Sequence, residues 1–287
     1  MPGGVAQALR FLRTELAEAG IEDAHRESLL IMAHVLGTDP TGVLPGDGEL
    51  DQGQRELIAA LLARRLRRFP LPYLLGWVGF MDFVLCVRPG VFIPRPETEG
   101  LAERAVALAR SLPPRSLVLD LCTGSGALAI AVARAREDLR VVAVDISERS
   151  LRCAWENAHR LGVADRVELR ISDLFQRVPE RFALIVANPP YVAAEEIPRL
   201  PPEVSRHEPR AALDGGRGGE EILRRILREA PTHLAGGGWV LCEIGDGQGE
   251  NLVRFAEEVT NWLELRVEED LGGRERYLVG RWWGPTI

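Results

Sequence analysis

The sequence contains no lysine, and every one of its 35 basic side chains is an arginine. Schiff-base enzymes, pyridoxal-phosphate enzymes and P-loop nucleotide-binding proteins each need a lysine ammonium at the site, so these classes are excluded. Because the guanidinium of arginine stays protonated at any accessible pH, a lysine base of lowered pKa is excluded with them.

Cysteines and long apolar runs are also scarce. The four cysteines (Cys86, Cys122, Cys153 and Cys242) lie far apart and imply neither a disulfide framework nor a zinc site. The opening residues MPGGVAQALR lack the apolar core of a signal peptide, and no apolar run is long enough to span a membrane. We therefore expect a reduced, cytoplasmic protein with no membrane partner and no metal.

The charge balance is acidic, with 42 acidic side chains against 35 arginines and a net charge of −7. This balance opposes non-specific binding to nucleic acid, so no direct nucleic-acid partner is expected. The 287 residues, of which 46% are hydrophobic, suffice for one large domain or two smaller ones. We expect a monomer.

Residues 1–70 are predicted to form a small helical domain, to which the family resemblance described below assigns recognition of the substrate. Apolar residues recur at spacings of three and four from Val5 to Leu16 and again from Leu29 to Leu36, and a third helix is predicted over about 52–68. The arginines at 64, 65, 67 and 68 are either favourable charges at a helix C-terminus or a surface for an acidic partner.

Residues 71–93 are predicted to be a β-hairpin linker, because GFMDFVLCV reads as a strand or hairpin. Residues 94–287 are predicted to be an α/β catalytic domain. Apolar strands that alternate with helices indicate a mostly parallel sheet covered on both faces, and the late, closely spaced strands suggest an antiparallel edge. The predicted strands are 116–120, 141–145, 167–171, 183–188, 239–244, 263–268 and 276–281.

A glycine-containing turn follows the first of these strands in DLCTGSGALAI, from Asp120 to Ile130. Gly124 and Gly126 allow a sharp turn and a close approach of ligand to backbone. Ligands of open α/β sheets bind at the carboxyl ends of the strands, where this turn lies. The third glycine of the dinucleotide fingerprint is missing, which counts against NAD. A tight turn without a ligand remains the alternative.

Carboxylates end the next two strands. Asp145 is placed to accept both hydroxyls of a ribose, while Ser147 is predicted to cap the following helix. In Ser172-Asp173-Leu174-Phe175, a carboxylate can bond an adenine amino group and an apolar side chain can cover the ring. An exposed turn with a buried Phe175 is the alternative. Together these features suggest an adenosyl ligand without phosphates.

The sequence Asn188-Pro189-Pro190-Tyr191 directly follows the strand ALIVA. Two prolines make the loop rigid and remove N–H groups, so its polar surface consists of carbonyl oxygens. The carbonyl of an asparagine and a neighbouring backbone carbonyl can accept two hydrogen bonds, which suits the NH2 group of an amide or of a nucleic-acid base. Holding both N–H groups orients the nitrogen lone pair toward an incoming methyl group.

These motifs resemble those of class I methyltransferases that use S-adenosylmethionine and act on amide or amino nitrogen. More narrowly, the chain resembles the PrmC/HemK family, the N5-glutamine methyltransferases of peptide chain release factors. The narrower resemblance also rests on LPYLLGWVGF at 71–80, VFIPRPETE at 91–99, and segments at 203–216, 242–248 and 270–276. It covers nearly all of the chain, most weakly in the first sixty residues.

The resemblance implies a Rossmann-like class I methyltransferase that methylates the glutamine in the Gly-Gly-Gln loop of a release factor. It implies that S-adenosylmethionine is bound by Asp120, Cys122, Thr123, Gly124, Ser125, Gly126, Asp145, Asp173, Leu174, Phe175 and Asn188. The same Asn188, with Pro189, Pro190 and Tyr191, would hold the glutamine and form the catalytic loop. Leu174 replaces the aromatic residue often found there, and Gly219-Glu220-Glu221 replaces a usual glycine-leucine.

Three other functions are compatible with these motifs. They are glutamine methylation of a ribosomal protein, N6-adenine methylation of nucleic acid, and a non-catalytic adaptor for the translation apparatus. The acidic charge argues against a nucleic-acid substrate, and the intact Asn-Pro-Pro-Tyr loop argues against an adaptor. The expected reaction is a direct in-line displacement that positioning accelerates, without a strong general base.

Overall fold

The computed structural model describes residues 2–44 and 46–284. The chain forms two compact units. The first comprises residues up to Trp77 together with Pro202–His207, and the second comprises Val78–Pro201 and the residues from Glu208 onward. The three-part domain organisation expected from the sequence, 1–70, 71–93 and 94–287, stays a prediction.

The secondary structure of the described residues follows the predicted order. The helices are α1 (Val5–Glu18), α2 (Ala24–Leu36), α3 (Pro40–Val43), α4 (Gln52–Leu66), α5 (Leu71–Leu75), α6 (Pro96–Ser111), α7 (Ala127–Ala135), α8 (Glu148–Arg160), α9 (Pro202–His207), α10 (Glu221–His233) and α11 (Gly249–Val259). The strands are β1 (Trp77–Phe80), β2 (Phe83–Cys86), β3 (Leu117–Leu121), β4 (Arg140–Asp145), β5 (Val167–Ile171), β6 (Phe182–Ala187), β7 (Leu234–Glu243), β8 (Trp262–Glu269) and β9 (Glu275–Trp282). Short 3-10 helices occur at Ile197–Arg199, Arg210–Ala212 and Arg217–Gly219.

The first unit is helical, as predicted. Leu12 and Leu16 of α1 are fully buried against Ile31 of α2 and Ile58 of α4. The helix α2 begins earlier than its apolar repeat and ends at Gly37, which adopts the left-handed conformation that glycine favours. A capping box formed by Asp51 and Gln54 begins α4. The amphipathic spacing of the sequence therefore specifies this unit.

A buried arginine organises the polar part of the first unit. The side chain of Arg65, which is 5% exposed, donates two hydrogen bonds to Glu27 (2.7 and 3.0 Å) and one to Glu203 of α9 (2.9 Å). Arg68 Nε lies 3.0 Å from the same Glu203 carboxylate. Two arginines of the predicted 64–68 cluster are therefore paired inside the unit, and Arg64 lies over the ring of Phe69.

The second unit is built on a seven-stranded sheet of order β5-β4-β3-β6-β7-β9-β8. The first five of these strands pair in parallel, and β9 pairs antiparallel with both β7 and β8. The mostly parallel sheet with an antiparallel edge is confirmed, as are all seven predicted strands to within a residue or two, except that β7 begins five residues early. The predicted hairpin is confirmed as the two-stranded sheet of β1 and β2.

Alternate residues of the sheet point into two separate cores. On one face, Val118 and Val186 pack with the buried alanines and leucines of α6 and α7. On the other face, Leu119 and Ile185 pack with the leucine and isoleucine side chains of α10 and α11. Strands buried on both faces have nearly continuous apolar sequences, which explains why they were predictable.

The parallel strands β3, β4, β6 and β7 all end at the same edge of the sheet. Asp120, Asp145, Asn188 and Glu243 lie at or beside those ends. The fold of the second unit therefore brings four polar side chains, distant in sequence, to one edge. Within residues 2–44 and 46–284, no helix is both long and apolar enough to cross a membrane.

We predict that Arg65→Ala lowers the free energy of unfolding by about 3 kcal/mol, because it leaves the part-buried Glu27 carboxylate without its cation and Glu203 with Arg68 alone. Urea unfolding followed by circular dichroism measures the change. Arg67→Ala, at an exposed position two residues on, is the matched control and should change stability by less than about 0.5 kcal/mol. Equal effects of the two substitutions would show that the buried ion pairs contribute nothing to stability.

Candidate active site

A cavity of about 580 Å³ lies in the second unit at the carboxyl edge of the sheet. Its walls come from the glycine-containing turn, the ends of β4 and β5, the loop after β6, and the segments around Phe92 and Ala212. The predicted site residues that line it are Cys122, Thr123, Gly124, Ser125, Asp145, Asp173, Leu174, Asn188 and Pro190. The predicted residues Asp120, Gly126, Phe175, Pro189 and Tyr191 lie behind or beside this wall.

The glycine-containing turn brings backbone amides to the cavity. Gly124 N donates to Asp145 Oδ2 at 2.9 Å, and Thr123 N donates to the carbonyl of Val144. Gly126 has a φ of +87°, and a Cβ there would approach Ala154 of α8 to 3.1 Å. A side chain at this position would push α8 away from the turn. The glycine therefore permits close helix packing beside the cavity.

Asp120 is fully buried directly beneath the turn. Its Oδ2 accepts hydrogen bonds from the Thr123 hydroxyl (2.6 Å) and from Ala129 N (3.0 Å), so it holds the turn to α7. Its Oδ1 is also buried and has no hydrogen-bond partner among the described residues. Burial raises the pKa of Asp120 to about 7, because the charged carboxylate is deprived of water.

Asp145 ends β4 and lines the cavity. Its Oδ1 accepts from Ser147 N (2.8 Å) and its Oδ2 from Gly124 N, which fixes the orientation of the carboxylate at the cavity wall. Burial raises the pKa of this carboxyl group, and the backbone donors oppose the rise. The Ser147 hydroxyl accepts from Ser150 N, so the predicted helix cap is confirmed.

The two apolar side chains of the loop after β5 lie in different places. Leu174 has a φ of +47° and lines the cavity, whereas the ring of Phe175 stacks on His233 at 4.5 Å. The Ser172 hydroxyl fixes the loop by donating to the Leu174 carbonyl. Asp173 also lines the cavity, and its carboxylate pairs with Arg225 at 3.0 Å. Of the two side chains predicted to cover the adenine, Leu174 therefore lies at the cavity and Phe175 lies in the core.

Two other side chains, Thr98 and Glu243, hold the Asn188–Tyr191 loop, and Thr98 also lines the cavity. Asn188 Nδ2 donates to the Thr98 hydroxyl at 2.9 Å, and the Tyr191 hydroxyl donates to Glu243 Oε1 at 2.9 Å. Burial and the neighbouring carboxylate raise the pKa of Tyr191, so its hydroxyl stays protonated. The loop presents Asn188 and Pro190 to the cavity and turns the Tyr191 hydroxyl into the protein.

A glycine-rich segment supports the same loop. Val192 pairs with the segment through hydrogen bonds from Val192 N to the Leu213 carbonyl and from Gly215 N to the Val192 carbonyl. Gln248 donates to the Tyr191 carbonyl at 3.0 Å. A Cβ on Gly219, which has a φ of +77°, would lie 2.2 Å from that carbonyl. The backbone conformation of the loop therefore depends on a glycine at 219.

Thr98 and Glu243 were not predicted from the sequence as site residues. Glu243 ends a buried strand, as Asp145 does and Asp120 nearly does, so its position at the end of WVLCE was an available signal. Thr98 carries no such signal, because it lies in the first turn of α6, ninety residues before Asn188. Ile146, which is 58% exposed and lines the cavity, was also missed.

Burial dominates the electrostatics of Glu243. It raises the pKa of this carboxyl group to about 7, and hydrogen bonding from Thr98 and Tyr191 opposes the rise. The Oε2 atom is buried and has no partner in the hydrogen-bond network of residues 2–44 and 46–284. Glu243 therefore changes its charge near neutral pH.

Comparisons with known proteins agree with this arrangement. Residues 83–200 match the model of the methyltransferase small domain, and residues 7–76 match that of the PrmC N-terminal domain. The chain is 40% identical to the release factor glutamine methyltransferase of Cereibacter sphaeroides over 279 residues, which cover 96% of this chain and 98% of the relative. The chain belongs to the release factor glutamine methyltransferase family.

A second member of this family, from Gloeobacter violaceus, is 40% identical over 271 residues, which cover 93% of this chain and 94% of the relative. The methyltransferase of Pyrococcus furiosus has a similar structure, with a TM-score of 0.50 and 21% identity over 69% of this chain and 88% of its own. That likeness confirms the expected class I methyltransferase fold, and the two relatives at 40% identity confirm the family expected from the motifs.

We predict that Gly219→Ala destabilises the protein by about 3 kcal/mol, since it adds a steric clash with the Tyr191 carbonyl to the strain of a positive φ. Gly218→Ala is the matched control: Gly218 has a φ of +68°, and a Cβ there meets nothing within 4 Å. It should cost only about 1 kcal/mol. Urea unfolding of both variants measures the difference, and equal losses would refute the steric explanation.

Proposed function

We propose that the chain transfers a methyl group from S-adenosylmethionine to the side-chain amide nitrogen (N5) of the glutamine in the Gly-Gly-Gln loop of peptide chain release factors. The observation that carries the proposal is the placement of the Asn188 amide, fixed by Thr98, in the cavity that also contains Asp145 and the glycine-containing turn. Family membership supplies the substrate class, because the relatives are named for it.

The cavity fits S-adenosylmethionine in the chemistry of its walls. Asp145 presents a carboxylate that accepts hydrogen bonds from the ribose hydroxyls, and Leu174 and Ile146 offer apolar surface to the adenine. The Ser125 hydroxyl, which lines the cavity and has no partner in the described structure, suits the charged amino-acid end of the cofactor, and the buried Asp120 carboxylate beneath the turn attracts a cation there. We assign the adenine contact to Leu174 instead of Phe175, since Phe175 is stacked on His233.

When bound, S-adenosylmethionine supplies an electrophilic methyl group on a sulfonium. Asn188 Oδ1 and a backbone carbonyl of the Asn-Pro-Pro-Tyr loop accept hydrogen bonds from the two N–H groups of the substrate amide and so direct the nitrogen lone pair toward the methyl group. Positioning of this kind lowers the activation free energy of well-oriented reactions by up to about 7–11 kcal/mol. The protonated product amide is strongly acidic, so the site needs no strong general base. The rigid prolines and the Tyr191–Glu243 hydrogen bond keep the acceptors in place.

The release factor is the proposed protein partner, and the N-terminal helices with the linker are proposed to recognise it. The net charge of −7 argues against the alternative of N6-adenine methylation, which needs a basic groove for the nucleic-acid backbone. The chain is further proposed to act in the cytoplasm as a monomer.

We expect Asn188→Ala to abolish methyl transfer, because it removes an acceptor for the substrate amide, while cofactor binding survives within a few-fold. Transfer of labelled methyl to a purified release factor measures the first effect and calorimetry the second. Asn251→Ala, at an exposed position on α11, is the control and should keep normal turnover. Near-normal turnover of Asn188→Ala would rule out its proposed role.

The substrate residue is tested on the partner. A release factor whose Gly-Gly-Gln glutamine is replaced by alanine should accept no label from the wild-type enzyme. Label in the altered release factor would place the reaction on another residue.

Cofactor affinity should depend on pH through Asp120. Its pKa of about 7 means that the carboxylate loses its charge as the pH falls below 7, so the affinity for a cationic ligand should fall by up to about tenfold per pH unit there. Asp120→Asn should bind more weakly, and its affinity should vary little between pH 6 and 8. Asp165→Asn, at an exposed position, is the control. An unchanged pH dependence in Asp120→Asn would assign it to another group.

A further inference from the structure

Thr98 and Glu243 form a polar chain that runs from Asn188 at the cavity wall, through Thr98, which also lines the cavity, to Glu243 in the protein interior. Asn188 Nδ2 lies 2.9 Å from the Thr98 hydroxyl oxygen, and hydrogen bonding from that hydroxyl acts on Glu243. The Tyr191 hydroxyl reaches Glu243 Oε1 from the other side at 2.9 Å. Thr98 and Glu243 are 3% and 0% exposed, so no solvent competes for these contacts.

The ionised state of Glu243 determines the direction of every hydrogen bond in the chain. A carboxylate only accepts, so the hydroxyls of Thr98 and Tyr191 must donate to it. Once the Thr98 proton is committed to Glu243, the Thr98 oxygen is left as an acceptor, and only the NH2 end of the Asn188 amide can serve it. The carbonyl end of Asn188 must then face the cavity.

We propose that Thr98 and Glu243 are positioning residues that select which end of the Asn188 amide faces the methyl acceptor. The inference rests on the proposed glutamine methylation and deepens it. An asparagine amide turned the other way would present its NH2 group to the NH2 group of the substrate, donor against donor. The lone pair of the substrate nitrogen would then lose its orientation toward the methyl group.

The charged neighbours of Glu243 include a cation and a further acid. The Arg276 guanidinium of β9 attracts the carboxylate, and Glu97 of α6 repels it. Arg276 is itself bound to Asp270 and to the Ile244 carbonyl at 3.1 Å, and Tyr277 also lies within electrostatic reach of Glu243. These neighbours leave the titration of Glu243 near neutrality, with the charged form above that pH.

The test compares Thr98→Val, which removes the hydroxyl at nearly constant shape, with Thr98→Ser, which retains it. Thr98→Val should lower kcat for release-factor methylation by about 10²-fold, with the Kd for S-adenosylmethionine changed less than about threefold. Thr98→Ser should retain most of the wild-type kcat. Thr232→Val, at an exposed position of α10, is the control for loss of a hydroxyl. Equal kcat values for the Val and Ser variants would overturn the proposal.

Glu243→Gln provides the second arm. A neutral glutamine can donate to the Thr98 oxygen, which frees the Thr98 proton for Asn188 Oδ1 and stabilises the wrong amide orientation. The wild-type kcat should fall as the pH is lowered through about 7, because Glu243 gains a proton. Glu243→Gln should have a low kcat at every pH and should not show this fall with pH. A Glu243→Gln variant with the wild-type kcat and the wild-type fall with pH would contradict the proposed direction of the hydrogen bonds.

Side-chain NMR of protein labelled with 15N-asparagine reads the same arrangement without substrate. The Asn188 amide protons, identified by their loss in Asn188→Ala, should exchange slowly with solvent in wild type and Thr98→Ser and quickly in Thr98→Val. Fast exchange in all three would overturn the positioning role. A wild-type protein that shows slow exchange but transfers no methyl to a release factor would refute the proposed function and leave the positioning of Asn188 supported.

Discussion

Desolvated carboxylates at the carboxyl edge of a parallel sheet are the constraint on which the site depends. Asp120, Asp145 and Glu243 lie at the ends of strands that are buried on both faces; Asp120 and Glu243 are fully shielded from water, and Asp145 is partly shielded. Each must be satisfied by nearby donors, and those donors are the backbone of the glycine-containing turn and the hydroxyls of Thr98, Thr123 and Tyr191. Satisfying the carboxylates therefore also fixes the walls of the cavity.

The two motif loops share this arrangement but use it differently. In the glycine-containing turn, the carboxylates hold backbone amides, and unpartnered atoms of Asp120 and Ser125 remain within the described structure. In the Asn-Pro-Pro-Tyr loop, the carboxylate of Glu243 holds side chains that in turn hold the loop. The first arrangement leaves polar atoms free to meet a charged ligand, and the second commits its polar atoms to orientation.

Much of this could be predicted from the sequence. Buried parallel strands carry nearly continuous apolar runs, so β3, β4 and β6 were predicted closely, whereas β7 begins at Leu234, and the glycines at 236–238 separate that start from the apolar run that was recognised. Asp120, Asp145 and Asn188 were predicted because each follows its own strand. Thr98 could not be predicted from local pattern, because its role appears only when α6 and the loop after β6 meet. The choice between Leu174 and Phe175 depended on a backbone torsion and on His233.

The helix α9 follows the Asn-Pro-Pro-Tyr loop in the chain by about ten residues, yet it belongs to the first unit, where Arg65 binds its Glu203. The first compact unit is therefore made of two separate stretches of the sequence, and the second is interrupted by one of them. An expression fragment that starts at Val78 would still contain the six residues 202–207 of the missing unit, including Glu203, whose partner Arg65 had been deleted. Domain exchange between relatives meets the same difficulty. A transplanted N-terminal segment must bring its own counterpart of residues 202–207, or it must retain an arginine that can bind the glutamate of the recipient's α9.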